Sequence, residues 1–252
     1  MTIDPRGRLR GASGAALVVV ALITIAWLLL SSPLFRIAAI EVDGNAQLSD
    51  RELRELSGAR IGDNLVFLST RDVERALESS PWIADADVAR RLPNSLVIGV
   101  AERRAVAVAD DATTTFVIGA DGIVLGEADA PGALPSLGRY GHLIEGEPLP
   151  GSLAPVRVLA SLPSSVTRVV DAAELEPDGV VVRFARGGYA TFGPATDTRR
   201  KAAALEGVLA WAEDRGVVFR YIDVRVPESP VLRPKGRGTR SVHPEITPAP
   251  RG

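Results

Sequence analysis

Leu48-Ser49-Asp50-Arg51-Glu52-Leu53 and, further on, Leu68-Ser69-Thr70-Arg71-Asp72-Val73 are two copies of one local device. In each, a serine stands where a helix N-cap belongs, an acid follows three residues later, and apolar residues flank the pair. A cap serine accepts a hydrogen bond from the amide three residues on, the acid reaches back to the cap amide, and the flanking pair packs as a hydrophobic staple. Two short helices are therefore predicted. The first stops at Gly58; the second shows Val73, Ala76 and Leu77 on one face and stops at Ser79-Ser80-Pro81.

Strand-like runs surround these helices. Residues 37–42 are apolar and end at Asp43-Gly44-Asn45, a turn sequence. Residues 83–92 and 95–103 are separated by Pro93-Asn94, and Leu96, Ile98 and Val100 share one face by period-two alternation. A β-α-α-β-β unit results, with both helices buried against one face of a three-stranded sheet.

Upstream, no charge occurs between Arg10 and Arg36, and AALVVVALITIAWLLL at 15–30 is apolar apart from Thr24. A helix of that length rises about 37 Å, enough for a hydrocarbon core of about 30 Å. Arg6, Arg8 and Arg10 precede it and Arg36 follows closely, so the positive-inside bias places the N-terminus in the cytoplasm and the remainder outside. Trp27 suits an interfacial aromatic. A cleaved signal peptide shares the charged start, but its apolar core is shorter, and Leu28-Leu29-Leu30-Ser31-Ser32-Pro33 lacks a small-x-small cleavage site.

Downstream of Arg103 come short β runs. Residues 115–118 and 123–125 flank Gly119-Ala120-Asp121-Gly122 as a hairpin. Residues 180–186 and 189–192 are joined by Gly187-Gly188. The Pro- and Gly-rich stretch 130–151 reads as a long connection, and 154–162 as a short helix. A longer helix is capped by Thr196 or Asp197, carries Leu205, Val208, Leu209 and Ala212 as an apolar stripe, and ends at Gly216. In FRYIDVRV at 219–226, Ile222, Val224 and Val226 alternate with Tyr221, Asp223 and Arg225, as in a half-buried strand. Prolines, glycines and basic residues from 227 to 252 preclude a core, so that segment is expected to be disordered.

The fold class expected is α+β: a cytoplasmic tail at 1–12, a transmembrane helix at 13–35, the β-α-α-β-β domain at 36–104, a mixed antiparallel β domain with one or two helices at 105–232, and a disordered tail at 233–252.

Composition narrows the function. With 252 residues, 46% hydrophobic and a formal net charge of −2, the chain has core-forming material and no surplus of cations for holding nucleic acid. The absence of cysteine excludes disulfides, thiolate zinc sites and a cysteine nucleophile. Only His142 and His243 offer imidazoles, and both fall in Gly- or Pro-rich segments. No HExxH, GxSxG, P-loop or GxGxxG pattern occurs, and Asp110-Asp111 or Glu41 with Asp43 read as strand ends and turns. No enzyme, cofactor, metal or small-molecule substrate is expected. Arg233, Lys235, Arg237 and Arg240 make the tail basic, as suits a solvated segment or contact with anionic wall polymers.

Ile40-Glu41-Val42-Asp43-Gly44-Asn45, Gly62-Asp63-Asn64-Leu65, Pro81-Trp82-Ile83, Val88-Ala89-Arg90-Arg91-Leu92-Pro93 and Val100-Ala101-Glu102-Arg103, in this order after an N-terminal apolar span, resemble the POTRA domain of the bacterial FtsQ/DivIB cell-division family. Gly193 and Lys201 match the family's Gly…Lys stretch, and Tyr-Ile-Asp-Val-Arg at 221–225 resembles its last strand segment. The resemblance implies a non-enzymatic, single-pass divisome scaffold at the division septum. Its partners would be FtsB-like and FtsL-like single-span proteins and, indirectly, the septal peptidoglycan synthase. Open strand edges are the binding resource of such a protein. The expected partner-binding residues are Tyr221, Ile222, Asp223, Val224, Arg225 and Val226. An exported hydrolase with a cleaved leader and a POTRA-type secretion component are the competing readings.

Overall fold

A computed structural model describes residues 6–128 and 134–236, with side chains from residue 17 onward. Contacts divide the chain into two compact units, Met1–Glu102 and Arg103–Gly252.

The first unit opens with helix α1 (Arg6–Leu30) and a short 3-10 turn at Pro33–Phe35. Strand β1 (Ala39–Asp43), helices α2 (Asp50–Ser57) and α3 (Thr70–Glu78), and strands β2 (Ile83–Arg91) and β3 (Ser95–Glu102) follow, in the order the sequence predicts. The sheet runs β1-β3-β2, with β1 parallel and β2 antiparallel to β3.

Both caps form, with one difference. At Ser49 the box is reciprocal: its hydroxyl accepts from the Glu52 amide at 3.3 Å, and a Glu52 carboxylate oxygen accepts from the Ser49 amide at 2.7 Å. At Ser69 only the hydroxyl half is present, accepting from Asp72 N–H at 3.3 Å. Aspartate is one methylene shorter than glutamate, and Asp72 pairs with Arg75 instead. Gly58 ends α2 in the left-handed region at φ 67°. Leu53, Val73 and Leu77 pack against Leu96, Ile98 and Val100, all buried.

The transmembrane helix expected at 13–35 is α-helical only to Leu30, where α1 ends, and the side chains of its residues 13–16 lie outside the described set. Among the described residues, no helix is long and apolar enough to cross a membrane.

The second unit contains β4 (Ala105–Asp110), β5 (Thr115–Gly119), β6 (Val124–Glu127), β7 (Ser136–Arg139), α4 (Ala154–Ser161), α5 (Ser164–Thr167), β8 (Val170–Glu176), β9 (Gly179–Phe184), β10 (Tyr189–Gly193), α6 (Thr198–Asp214), β11 (Phe219–Asp223) and β12 (Val231–Pro234). They build one nine-stranded sheet, in the order β12-β11-β10-β9-β8-β7-β4-β5-β6. Leu205, Val208 and Ala212 of α6 and Val158 and Leu159 of α4 join its core.

Three expectations need correction. The connection 130–151 contains β7, which bridges β4 and β8 through parallel pairing; residues 129–133 of that stretch lie outside the described set. The segment 227–252 is not wholly without structure, since β12 pairs with β11 and its Leu232 is fully buried; residues 237–252 lie outside the described set. Asp197 occupies the N-cap of α6 but at φ 50° and without a side-chain cap bond. The glycine stop at Gly216 is present, at φ 61°.

Candidate partner-binding site

A sheet offers a partner its edges, because there the backbone N–H and C=O groups on one side lack a strand. The large sheet has two edges, and they differ. Outside β6, Val124 N–H donates to Glu147 C=O at 3.0 Å, Gly146 N–H to Val124 C=O at 2.8 Å, and Ile123 bridges Pro148. That edge is covered at its Val124 end by the loop around 144–149. The other edge is β12, and no strand lies outside it among the described residues.

The six residues singled out in the sequence are placed one strand inward and separate into two groups. β11 is flanked on both sides, by β10 in parallel and by β12 antiparallel. Ile222 and Val224 are fully buried in the core. Tyr221 and Asp223 are half-buried, while Arg225 and Val226 are exposed. Val226 does not continue the buried face: the strand ends at Asp223, whose carboxylate accepts from the Arg225 backbone N–H at 3.0 Å, an Asx-type turn that breaks the alternation.

Asp223 and Arg225 also hold each other through their side chains. Arg225 donates from Nη2 to Asp223 Oδ2 at 2.6 Å and from Nε to Oδ1 at 3.1 Å. Burial pushes the Asp223 carboxyl up, but the hydrogen bonds and charge of Arg225 outweigh it and hold the group below its ordinary range.

The outward face carries a row that the sequence reading missed. Tyr189 on β10 is in register with Tyr221 on β11, and Tyr221 with Arg233 on β12. The two rings stack at 5.7 Å and 16°, and the Arg233 guanidinium lies 5.5 Å above the Tyr221 ring. On β9, Arg183 is in register with Tyr189 and donates to both Glu174 carboxylate oxygens, at 2.9 and 2.8 Å. A continuous band of aromatic and cationic side chains therefore crosses the sheet to the open edge. Its signal was the Val231-Leu232-Arg233 alternation, hidden inside a Pro-rich stretch.

Behind the sheet, Lys201 on α6 is buried. Its ammonium donates to the carbonyls of Phe192 at 2.9 Å and Pro194 at 2.8 Å, fastening the helix to the end of β10. Burial draws its pKa below the ordinary lysine value, with Asp197 acting in the opposite sense. Among the described residues no group of three or more histidines, aspartates or glutamates could hold a metal ion. His142 is exposed and His243 lies outside the described set.

A β-α-α-β-β unit with sheet order β1-β3-β2, followed by a separate β unit with an open terminal edge, defines a POTRA-containing class of protein. The family model "POTRA domain, FtsQ-type" matches residues 35–103. The cell division protein FtsQ of Streptomyces bingchenggensis is 27% identical over 220 residues, covering 82% of this chain and 80% of that protein. FtsQ of Bradyrhizobium diazoefficiens is 37% identical over 91 residues, 36% of this chain and only 27% of that protein's length. The major extracytoplasmic domain of DivIB from Geobacillus stearothermophilus aligns at 25% identity over 46% of this chain and 98% of that one, with a TM-score of 0.31. Residues 35–103 thus carry an FtsQ-type POTRA domain, and the chain is similar to FtsQ and DivIB cell division proteins.

Proposed function

We propose that this chain is a non-enzymatic divisome scaffold, held in the cell membrane by α1, with both compact units outside the cytoplasm and a partner strand received at the β12 edge. The partners would be FtsB-like and FtsL-like single-span proteins, linking the chain to septal peptidoglycan synthesis. The open β12 edge carries this reading, because main-chain pairing there supplies affinity and the Tyr189–Tyr221–Arg233 row supplies side-chain selectivity. Tyr221, Asp223, Arg225 and Val226 contribute from the strand behind, and Ile222 and Val224 act by holding that strand in the core.

The anchor is supported by exposure. Val18, Val19, Val20, Leu22, Ile23, Ile25, Trp27, Leu28 and Leu29 are all open to the surroundings, on every side of α1. A helix apolar all round needs an apolar medium, and none of the described residues covers it.

The experiment is capture of an FtsB-like partner by the full chain, with a fluorescent fusion imaged in parallel. Arg233→Glu should cut capture and weaken the mid-cell band while the variant stays folded by circular dichroism. Unchanged capture would remove the β12 edge as the docking place. An even membrane distribution of the wild-type fusion would remove the divisome reading.

A further inference from the structure

Four large exposed apolar side chains of the POTRA unit's connections gather at one end, apart from Leu56 on α2. Leu34, Ile61, Phe67 and Leu92 are 61%, 63%, 56% and 63% exposed. They come from three connecting segments, Leu34 from the turn after α1, Ile61 and Phe67 from the α2–α3 connection and Leu92 from the β2–β3 turn, and hydrogen bonds draw those segments together where α1 ends. Asn64 donates from Nδ2 to the Leu30 carbonyl at 2.8 Å, satisfying an orphan acceptor at the helix terminus. Leu65 N–H donates to Phe35 C=O, and Ile37 N–H to Asp63 C=O, both at 2.8 Å. On the other side of β1, Ala38 N–H donates to Asn94 C=O at 2.8 Å, which brings in the turn after Leu92. Gly62, at φ 98°, closes the turn that leaves Ile61 outermost.

Cations stand among these apolar groups. Arg36 and Arg60 are exposed, and among the described residues no carboxylate forms an ion pair with either guanidinium, although Asp63 accepts from the Arg60 backbone N–H at 2.9 Å and lines the recess beside Arg36. Phe67 and Trp27 line one recess together with Arg36 and Asn64. Isolated exposed leucines need no explanation, but a cluster rimmed by arginines marks an interaction surface.

We propose that this rim, Leu34, Ile61, Phe67 and Leu92 with Arg36 and Arg60, seats in the headgroup layer of an anionic phospholipid bilayer and fixes the POTRA unit against the membrane. The proposal rests on the reading of α1 as an anchor. The headgroup layer on each side of the hydrocarbon core is about 5–8 Å deep. Residues tied by one hydrogen bond to the last turn of α1 lie within that depth. Apolar side chains then enter the acyl boundary, and the guanidinium groups meet lipid phosphates, as in interfacial helices and basic juxtamembrane segments. Asn64 is the positioning residue, since it joins the rim to the helix end.

The test exploits the absence of cysteine. Single-cysteine variants of the full chain, Ile61→Cys, Phe67→Cys, Ile23→Cys in α1 and Ala46→Cys beyond the far end of β1, are labelled with an environment-sensitive fluorophore. They are reconstituted into phosphatidylcholine vesicles with and without phosphatidylglycerol, and spin-labelled lipids serve as quenchers. The rim probes should be quenched and blue-shifted, more so with phosphatidylglycerol, while the Ala46→Cys probe stays bright. Arg36→Glu with Arg60→Glu should relieve rim quenching and leave the Ile23→Cys probe quenched. Unquenched rim probes beside a quenched Ile23→Cys probe would overturn the seating and spare the anchor. An unquenched Ile23→Cys probe would overturn the anchor, and the seating with it. Rim quenching independent of phosphatidylglycerol would overturn the role given to the arginines.

Discussion

The Lys201 ammonium lies 2.9 Å from the Phe192 carbonyl oxygen, and with Pro194 it ties the first turns of α6 to the end of β10. β10 is the strand on which β11 and then the open edge depend, so this bond helps set the edge from the opposite side of the sheet.

Lys201→Met keeps the length of the side chain and removes both donors, leaving two carbonyls without that partner. A loss of roughly 2–4 kcal/mol is expected for two buried hydrogen bonds left half-made, read by urea unfolding. A pH signature accompanies it. Because burial lowers the folded-state pKa of Lys201, the unfolded chain binds more protons between that value and the ordinary lysine pKa. Wild-type stability should therefore rise with pH across this window, and Lys201→Met should flatten the rise. An equal slope in both proteins would contradict the assignment.

Ser49→Ala removes a reciprocal cap and should cost about 1 kcal/mol, more than Ser69→Ala, where only one half of the box exists. The Glu52 carboxyl is held below its ordinary pKa by the Ser49 hydroxyl and amide. This contribution is present above the ordinary glutamate pKa and is lost as pH falls through the lowered value. Acid titration of stability should be shallower in Ser49→Ala; an unchanged profile would show that the box does not couple to folding.

Gly179→Ala tests a close backbone approach. At φ 116°, an added Cβ would stand 2.0 Å from the Gly193 carbonyl carbon, and backbone cannot yield as a side chain does. Gly187, at φ 87°, faces open space. Alanine at 187 should cost about 1 kcal/mol of conformational strain. Alanine at 179 should exceed it by roughly 1–3 kcal/mol through overpacking. Thermal melts compare the two, and similar midpoints would refute the steric account.

Tyr221→Ala removes the stack on Tyr189 and the ring beneath Arg233. A loss of about 1–2 kcal/mol in partner affinity is expected from aromatic and cation–π contributions at a partly exposed site. Arg225→Glu sets a second negative charge beside Asp223 and should weaken capture as well. Titration of the purified partner against each variant gives the numbers, and wild-type affinity in Tyr221→Ala would exclude the row from recognition.

Legibility in the sequence followed range. The Ser49 and Ser69 caps, the Gly58 and Gly216 stops and the hairpin around Gly119-Ala120-Asp121-Gly122 depend on neighbours a few residues apart, so the chain declares them directly. The motifs of the POTRA unit were legible for the same reason, and the family matches agree with them. β7 and β12 are four residues each and sit among prolines and glycines that argue against a core. They become strands because β4, β8 and β11 offer backbone groups to pair with, which no local propensity records.

The partner site divides the same way. Tyr221, Asp223 and Arg225 were identifiable as the polar side of an alternating strand, since side-chain direction has period two whatever the fold. Whether that strand lies at an edge depends on what pairs with it, and pairing joins residues far apart in the chain. The amino-acid sequence by itself determined α2, α3 and α6, the glycine stops of α2 and α6, and the face that β3 and residues 221–224 present, because these depend on near neighbours. Tertiary structure alone decided that β12 covers β11, that Lys201 fastens α6 behind it, and that Arg233 brings the tyrosine row to the open edge.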